Sequence, residues 1–207
     1  MTETITDSGL SEDQLTTDLQ RQRRERILDA AVESAGARGY DLVHMRDIAR
    51  SARVSLATLY HHFPSKNHLL VWALDRELMR FDDHLSEDLS DVVDPFARLR
   101  VVVARLTDSM EKSERVTDAL THAYVASNIV AAAEAEMIRV RTREMFVHLM
   151  SGRTARDVDR HIADLLTDVW TSEVLALVQG RKTHADMRNR LISVIDLLAR
   201  SMTRGPR

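Results

Sequence analysis

Within residues 46–66 stand Arg46, Ser55, Ala57, Thr58, Tyr60, His62 and Lys66, a set suited to holding a nucleic acid rather than to breaking bonds. Thr58 carries both a hydroxyl and a methyl, which can meet a base edge or a thymine methyl. Ala57 is small and permits close approach, while Ser55 and Tyr60 can donate to phosphate oxygens. Lys66 opens a helix and would neutralise a phosphate there, beside backbone N–H groups that favour anions. Arg46 can reach a guanine or the backbone, and its position alone does not choose between them. Tyr60 and His62 also have a purely structural use, packing against Phe63.

The elements that position these groups are legible in DIARSARVSLATLYHHFPSK, residues 47–66. Ile48 and Ala49 make an apolar pair on a first short helix. Val54 is the apolar hinge, and Ser55 is a good N-cap for a second helix, predicted over 56–62. Leu59 and Phe63, four apart, share that helix's buried face. Pro64 ends it, because the residue before a proline is pushed out of the helical region. Two short helices joined by a tight turn, with small polar groups on the outside of the second, suit the major groove. An ordinary helical hairpin has the same apolar spacing, so charge has to separate the two readings. Residues 20–66 hold nine basic and five acidic side chains, a net of +4 in a chain of net charge −3, which leaves −7 on the remainder. A basic head on an acidic body is the pattern of a protein that presents one end to phosphate.

The stretch RERILDAAVESAGARGYDLVHMRDIARSARVSLATLYHHFPSKNHLL resembles the DNA-binding domain of the TetR family of bacterial repressors. The features that carry the resemblance are ILDAA, Gly39-Tyr40, DIA and above all V-S-x-A-T-L-Y-x-H-F-P-S-K. Looser matches at MRDIA, TLYHHFPSKNHLL, DALTHAYV and DVWTSEVLALV are similar to the KstR-like branch, the actinobacterial repressors of cholesterol and steroid catabolism. The resemblance implies an all-α fold, with a three-helix helix-turn-helix domain followed by a larger helical domain for effector binding and dimerisation. In the family, Tyr60, His62 and Lys66 correspond to backbone-contacting positions, and Thr58 and Arg46 to base readers. The helix after the head links it to the body and transmits the ligand signal by its tilt.

Residues 1–19 lack apolar periodicity and are expected to be a disordered tail. Residues 20–66 are the head and 67–207 the body. Arg21, Arg23, Arg24 and Arg26 crowd the start of the first helix, either reaching DNA or solvating a helix end. That helix runs through Ile27, Ala30, Ala31 and Ala35 to near Gly39. A long helix follows from Asn67 with Leu70, Leu74, Leu78 and Phe81. Asp94-Pro95 starts another with Leu99, Val102, Val103 and Leu106. Ser113 caps the next, and a longer one covers about 130–150, stopping at Gly152. Thr154 or Asp157 opens a helix to about 179, interrupted by Gly180. Thr183 and Asp186 form a capping-box pair for the last.

The body is rich in Met and aromatic residues. Met110, Leu120, Tyr124, Met137, Phe146, Met150 and Trp170 are the candidate lining of an effector pocket, since Met fills irregular apolar space and Tyr and Trp add a polar handle. About half of such residues should be plain packing. The existence of a pocket, and an effector that is a small apolar molecule such as an acyl-CoA or steroid acyl-CoA, follow from the resemblance. Arg141 or Arg143 would then meet CoA phosphates, unless they are ordinary surface charges. The two C-terminal helices, with Leu165, Val169, Leu175 and Leu177 on one and Leu191, Ile195 and Leu198 on the other, are the expected homodimer elements. A dimer reads an inverted-repeat operator with half-sites about one helical turn, ~34 Å, apart. The rival reading is a ligand-independent architectural DNA binder whose body is solid core.

Other classes fare worse. No P-loop, dinucleotide-binding glycine pattern, HExxH or GxSxG occurs, so an enzyme is not expected. No cofactor and no metal centre is expected either. The run Asp157, Asp159, His161, Asp164 and Asp168 reads as a solvated helix face, and His61, His62 and His68 make a weak zinc set. No apolar run approaches the ~18 residues of a membrane span. Cysteine is absent, and the first residues are acidic and polar, unlike a secretory signal, so a cytoplasmic protein is expected.

Overall fold

A computed structural model of the chain describes residues 12–89, 91–130, 132–151 and 155–203. Among them are nine α-helices: α1 (Glu12–Arg38), α2 (Met45–Ser51), α3 (Leu56–His62), α4 (Lys66–Asp88), α5 (Pro95–Lys112), α6 (Glu114–Val130), α7 (Ala132–Ser151), α8 (Asp157–Val178) and α9 (His184–Thr203). The all-α architecture expected from the sequence is present. Helix α1 starts earlier than the apolar pattern foretold. It begins at Glu12, inside the segment 1–19 read as a disordered tail, whose residues 1–11 lie outside the described residues. Periodicity did not reveal this extra length, because residues 12–19 hold only two apolar side chains, Leu15 and Leu19, among polar ones.

Local signals set several of the helix ends. Helix α1 ends where Gly39 takes a φ of 72°, the left-handed conformation that favours glycine at a helix end. Asp94 caps α5, its two carboxylate oxygens accepting from the backbone N–H groups of Phe96 (3.3 Å) and Ala97 (3.0 Å). The Thr183–Asp186 pair forms as expected. The Asp186 carboxylate accepts from the Thr183 N–H at 2.9 Å, and the Thr183 hydroxyl accepts from the Asp186 N–H at 3.2 Å. The expected stop at Gly152 and start at Thr154 fall outside the described residues, and α8 begins at Asp157.

Helices α1, α2 and α3 enclose a small core of Ile27, Ile48, Leu59 and Phe63, each fully buried. Helix α4 then packs against α1, α6 and α7 and joins this head to the body. Ion pairs pin α4 on two sides. Asp75, itself buried, takes the guanidinium of Arg141 from α7. Arg76 reaches Asp29 of α1 at 2.8 Å and Glu25 at 3.2 Å. The body is a bundle of α4–α9 built on Leu99, Val103, Phe146, Leu166, Leu191 and Ile195. No helix among the described residues is long and apolar enough to cross a membrane.

Candidate DNA-reading head and effector cavity

The second helix of the head is set by its ends. Ser55 Oγ accepts from the Thr58 N–H at 3.0 Å and lies 2.7 Å from the Thr58 hydroxyl. Phe63 leaves the helix with extended backbone (φ −139°, ψ 101°), as a residue before proline must. Leu59 and Phe63 point inward, while Ala57 and Tyr60 face solvent and Thr58 is half-exposed. Tyr60 is 48% exposed, so its ring is not packed away against Phe63. Arg46 is exposed at the start of α2. The turn between α2 and α3 also contains Arg53 at φ 56°, a left-handed residue with no glycine to announce it.

His62 and Lys66 are placed less simply. The His62 ring is half-buried, tilted against Phe63 with centroids 6.3 Å apart and edge-on to His61 at 5.6 Å. Burial, reinforced by His61, Arg23 and Arg24, lowers its pKa below the ordinary imidazole value. Lys66 does stand at the first position of α4, but its ammonium donates to the Tyr40 carbonyl at 2.9 Å and lies 3.9 Å from the Tyr40 ring centroid. Its charge therefore also ties the start of α4 to the loop after α1.

The arginines at the head divide by environment. Arg24 is half-buried, its guanidinium 5.1 Å from the Phe63 ring centroid and 4.3 Å from that of Trp72. It joins α1 to the end of α3 and to α4. Burial lowers its pKa. Arg21 pairs with Asp18, and Arg38 with Asp47 at 2.8 Å. Arg23 and Arg26 are exposed.

A cavity of about 230 Å³ lies in the body just below the head. Met110, Leu120, Tyr124 and Trp170 line it, together with Leu74, Leu78 and Phe81 of α4 and Val32 of α1. Met137, Phe146 and Met150, expected on the same evidence of residue type, do not. Phe146 is fully buried, its ring edge-on to Trp170 at 6.5 Å, so it fills the seam between α7 and α8. Met150 is core and Met137 packs against the core from outside. The side chains the sequence reading missed are those of α1 and α4, because nothing local shows which flank of a helix looks into a hollow. Nor did it single out a set of threonines on α6, α7 and α8, whose spacing along the apolar faces was the available signal.

The C-terminal apolar stripes divide between core and surface, and the two arginines of α7 are held in ion pairs. Leu191 and Ile195 are completely buried within the protomer and are not surface for a partner, whereas Leu165 (53% exposed), Leu175 (37%), Leu197 (61%) and Met202 (42%) are displayed on α8 and α9. Arg143 is engaged with Asp164 at 2.6 Å and Glu144 at 3.0 Å, and Arg141 with Asp75. Of the acidic run on α8, Asp159 accepts from Arg156 and Asp164 from Arg143.

A capped recognition-type helix on a basic head, above a helical body with a cavity, is the arrangement of a helix-turn-helix regulator. Residues 27–71 match the family of bacterial regulatory proteins of the tetR type, and residues 93–198 match the tetracyclin repressor-like C-terminal domain. The chain belongs to the TetR family and is a transcriptional repressor of that family rather than an enzyme. It is 38% identical over 189 residues to the HTH-type transcriptional repressor KstR of Mycobacterium tuberculosis, a match covering 91% of this chain and 86% of that one. Its fold is similar to that of a TetR transcriptional regulator from Rhodococcus sp. RHA1 (TM-score 0.74, 24% identity, 87% of this chain and 97% of that one). It is similar also to Thermus thermophilus FadR in complex with lauroyl-CoA (TM-score 0.67, 20% identity, 85% and 93%).

Proposed function

We propose that this repressor acts in the cytoplasm as a homodimer on an inverted-repeat operator, and that a small apolar effector seated in the body cavity releases it. The observation that carries the reading is that one cavity is walled by α1 and α4, the two long helices that also hold the head. A ligand wedged there acts on the elements that set the position of α3. Residues 20–66 read the DNA: Thr58 and Arg46 at base edges, Ser55, Tyr60, His62 and Lys66 at the phosphates, and Ala57 allowing approach. Residues 67–207 bind the effector and, through the exposed leucines of α8 and α9, the second protomer. Likeness to KstR and to a FadR holding lauroyl-CoA supports an acyl-CoA effector. The KstR-like motifs narrow it to a steroid acyl-CoA, and the controlled genes to lipid or steroid catabolism. At about 230 Å³ the cavity is below the usual ~300–1,000 Å³ of a drug-sized site. It takes the apolar part of such a thioester and leaves the nucleotide outside.

Effector and DNA favour different head positions, so each weakens the other's binding by the same factor, roughly 5- to 150-fold for an ordinary coupling of ~1–3 kcal/mol. The test is fluorescence anisotropy of a labelled duplex from the gene's own upstream region, titrated with protein and then with acyl-CoA and steroid acyl-CoA thioesters. Tight, salt-sensitive binding relieved by a thioester is expected, and Leu120→Trp, which fills the cavity, should bind DNA without responding. Binding that no ligand relieves would favour the architectural reading, and absence of specific binding would sink both.

A further inference from the structure

The head carries three basic side chains that its own fold leaves without a partner. Arg23 is exposed on α1, while His61 is exposed and His62 half-buried in the last turn of α3. Among the described residues none of the three makes a hydrogen bond or an ion pair. Nearby arginines are committed, Arg21 to Asp18, and Arg38 and Arg50 to Asp47. The three are nonetheless gathered. The His61 and His62 rings meet edge-on, centroids 5.6 Å apart. Arg24 lays its guanidinium 5.1 Å from the ring centroid of Phe63, the neighbour of His62, which holds this turn of α1 against the end of α3. The charged groups that act on the His62 ring are His61 from its own helix and Arg23 and Arg24 from α1. Trp72 of α4, on which Arg24 also stacks, is neutral. No carboxylate is among them. Folding has therefore placed basic groups side by side with no anion to balance them, at the end of the helix that displays Ala57 and Tyr60.

We infer that Arg23 and His62 form a site for one DNA backbone phosphate where α1 meets α3, and that the operator is bound together with a proton, taken from solvent onto the His62 ring. A neutral imidazole has one N–H, whereas the protonated ring donates from both nitrogens. Its charge-assisted bond to a phosphate oxygen is roughly twice as strong as a neutral one. In the free head His62 is kept neutral, by burial first and by its cationic neighbours second. A phosphate seated between the two helices reverses the second cause, since its charge offsets Arg23 and faces the ring. Proton and DNA then favour each other's binding by the same factor. Mild acid thus loosens the free head and tightens its grip on DNA. This rests on the proposal that the head reads DNA, and adds to that reading a residue outside the helix-turn-helix and a proton.

Anisotropy of the full chain on the upstream-region duplex, at fixed ionic strength between about pH 8 and about pH 6, reads the linkage. Kd should fall by up to about tenfold per pH unit over part of that range, as one bound proton requires. Calorimetry of the same binding near pH 7, in PIPES and in imidazole buffer, counts the protons, because the two buffers release them with different heats. His62→Gln keeps an N–H donor but cannot titrate, and should lose most of the pH dependence and of the proton uptake. Arg23→Gln, at an exposed position, should lower the salt slope by about one. A Kd that is flat or rises on acidification, equal heats in the two buffers, or full proton uptake by His62→Gln would overturn the proton linkage and leave the head a DNA reader. An unaltered salt slope in Arg23→Gln would overturn the α1 half of the site. If no specific binding is found at any pH, the DNA reading itself falls and this inference with it.

Discussion

The ring of Tyr40, in the loop after α1, stacks on the ring of His122 from α6, centroids 4.4 Å apart and planes 22° from parallel. Tyr40 belongs to the head and His122 to the helix that supplies Leu120, Thr121 and Tyr124 to the cavity wall. The same tyrosine donates its hydroxyl to Asn67 at 2.7 Å and receives Lys66 on its carbonyl. One residue thus touches the head, the start of α4 and the helix that carries part of the cavity wall.

His122→Ala removes the stack at an exposed position and should leave operator affinity without effector within about threefold. The effector's power to release DNA should fall by a factor of ~2–30, the scale of single-residue changes in coupling. Paired titrations of DNA with and without thioester read this directly. An unchanged release ratio would show that the signal passes through α4 alone.

A second head-to-body contact is closer still. A Cβ placed on Gly36 of α1 would sit 2.9 Å from Val116 Cγ2 of α6, a short branched side chain with little room to yield. Alanine inside a helix ordinarily gains up to ~0.5–1 kcal/mol over glycine, and less in the last turn, where Gly36 stands. Here overpacking should outweigh that gain, since it costs roughly 1–3 kcal/mol. Gly36→Ala is therefore expected to lower the thermal midpoint, and Gly36→Ala with Val116→Ala to recover part of the loss. A stabilised single variant would contradict the close approach.

Arg24 between Phe63 and Trp72 should behave as a structural cation. Arg24→Ala is expected to cost ~1–2 kcal/mol of stability from lost stacking and to leave the salt slope of DNA binding unchanged. Arg23→Ala, at an exposed position, reduces that slope by about one if it reaches a phosphate. Chemical denaturation and salt titrations of the two variants separate the roles.

The head should weaken on mild acidification. His62 has its pKa lowered by burial first and by neighbouring cations second, so between its folded and unfolded values the unfolded chain binds the extra proton. Stability rises with pH through that window, from the folded value up to the ordinary imidazole pKa near 6.5, and is unaffected above it. NMR titration should find the His62 ring titrating below the ordinary imidazole value. A His62→Gln variant should have a shallower fall in stability at low pH.

How much of this was written locally differs between head and body. Ser55, Pro64 and the pair Leu59 and Phe63 act within a few residues of one another, through a cap, a steric exclusion and a helical repeat. The position of α3 and its outward groups followed from them without any distant contact. The starts of α5 and α9 were legible for the same reason, at Asp94 and at Thr183 with Asp186. Long-range packing decided the rest. Tyr124 and Phe146 are both aromatic, both buried and both on helices with apolar faces, yet one looks into a cavity and the other plugs a seam. Leu191 and Leu197 lie on one helix, and only the seating of α9 against α5 and α8 buries the first and displays the second. Lys66 and Arg24 carry the charge the sequence promised, but which aromatic ring each one meets depends on residues tens of positions away. Residue type fixes what a side chain can do, and the meeting of helix faces fixes what it is near.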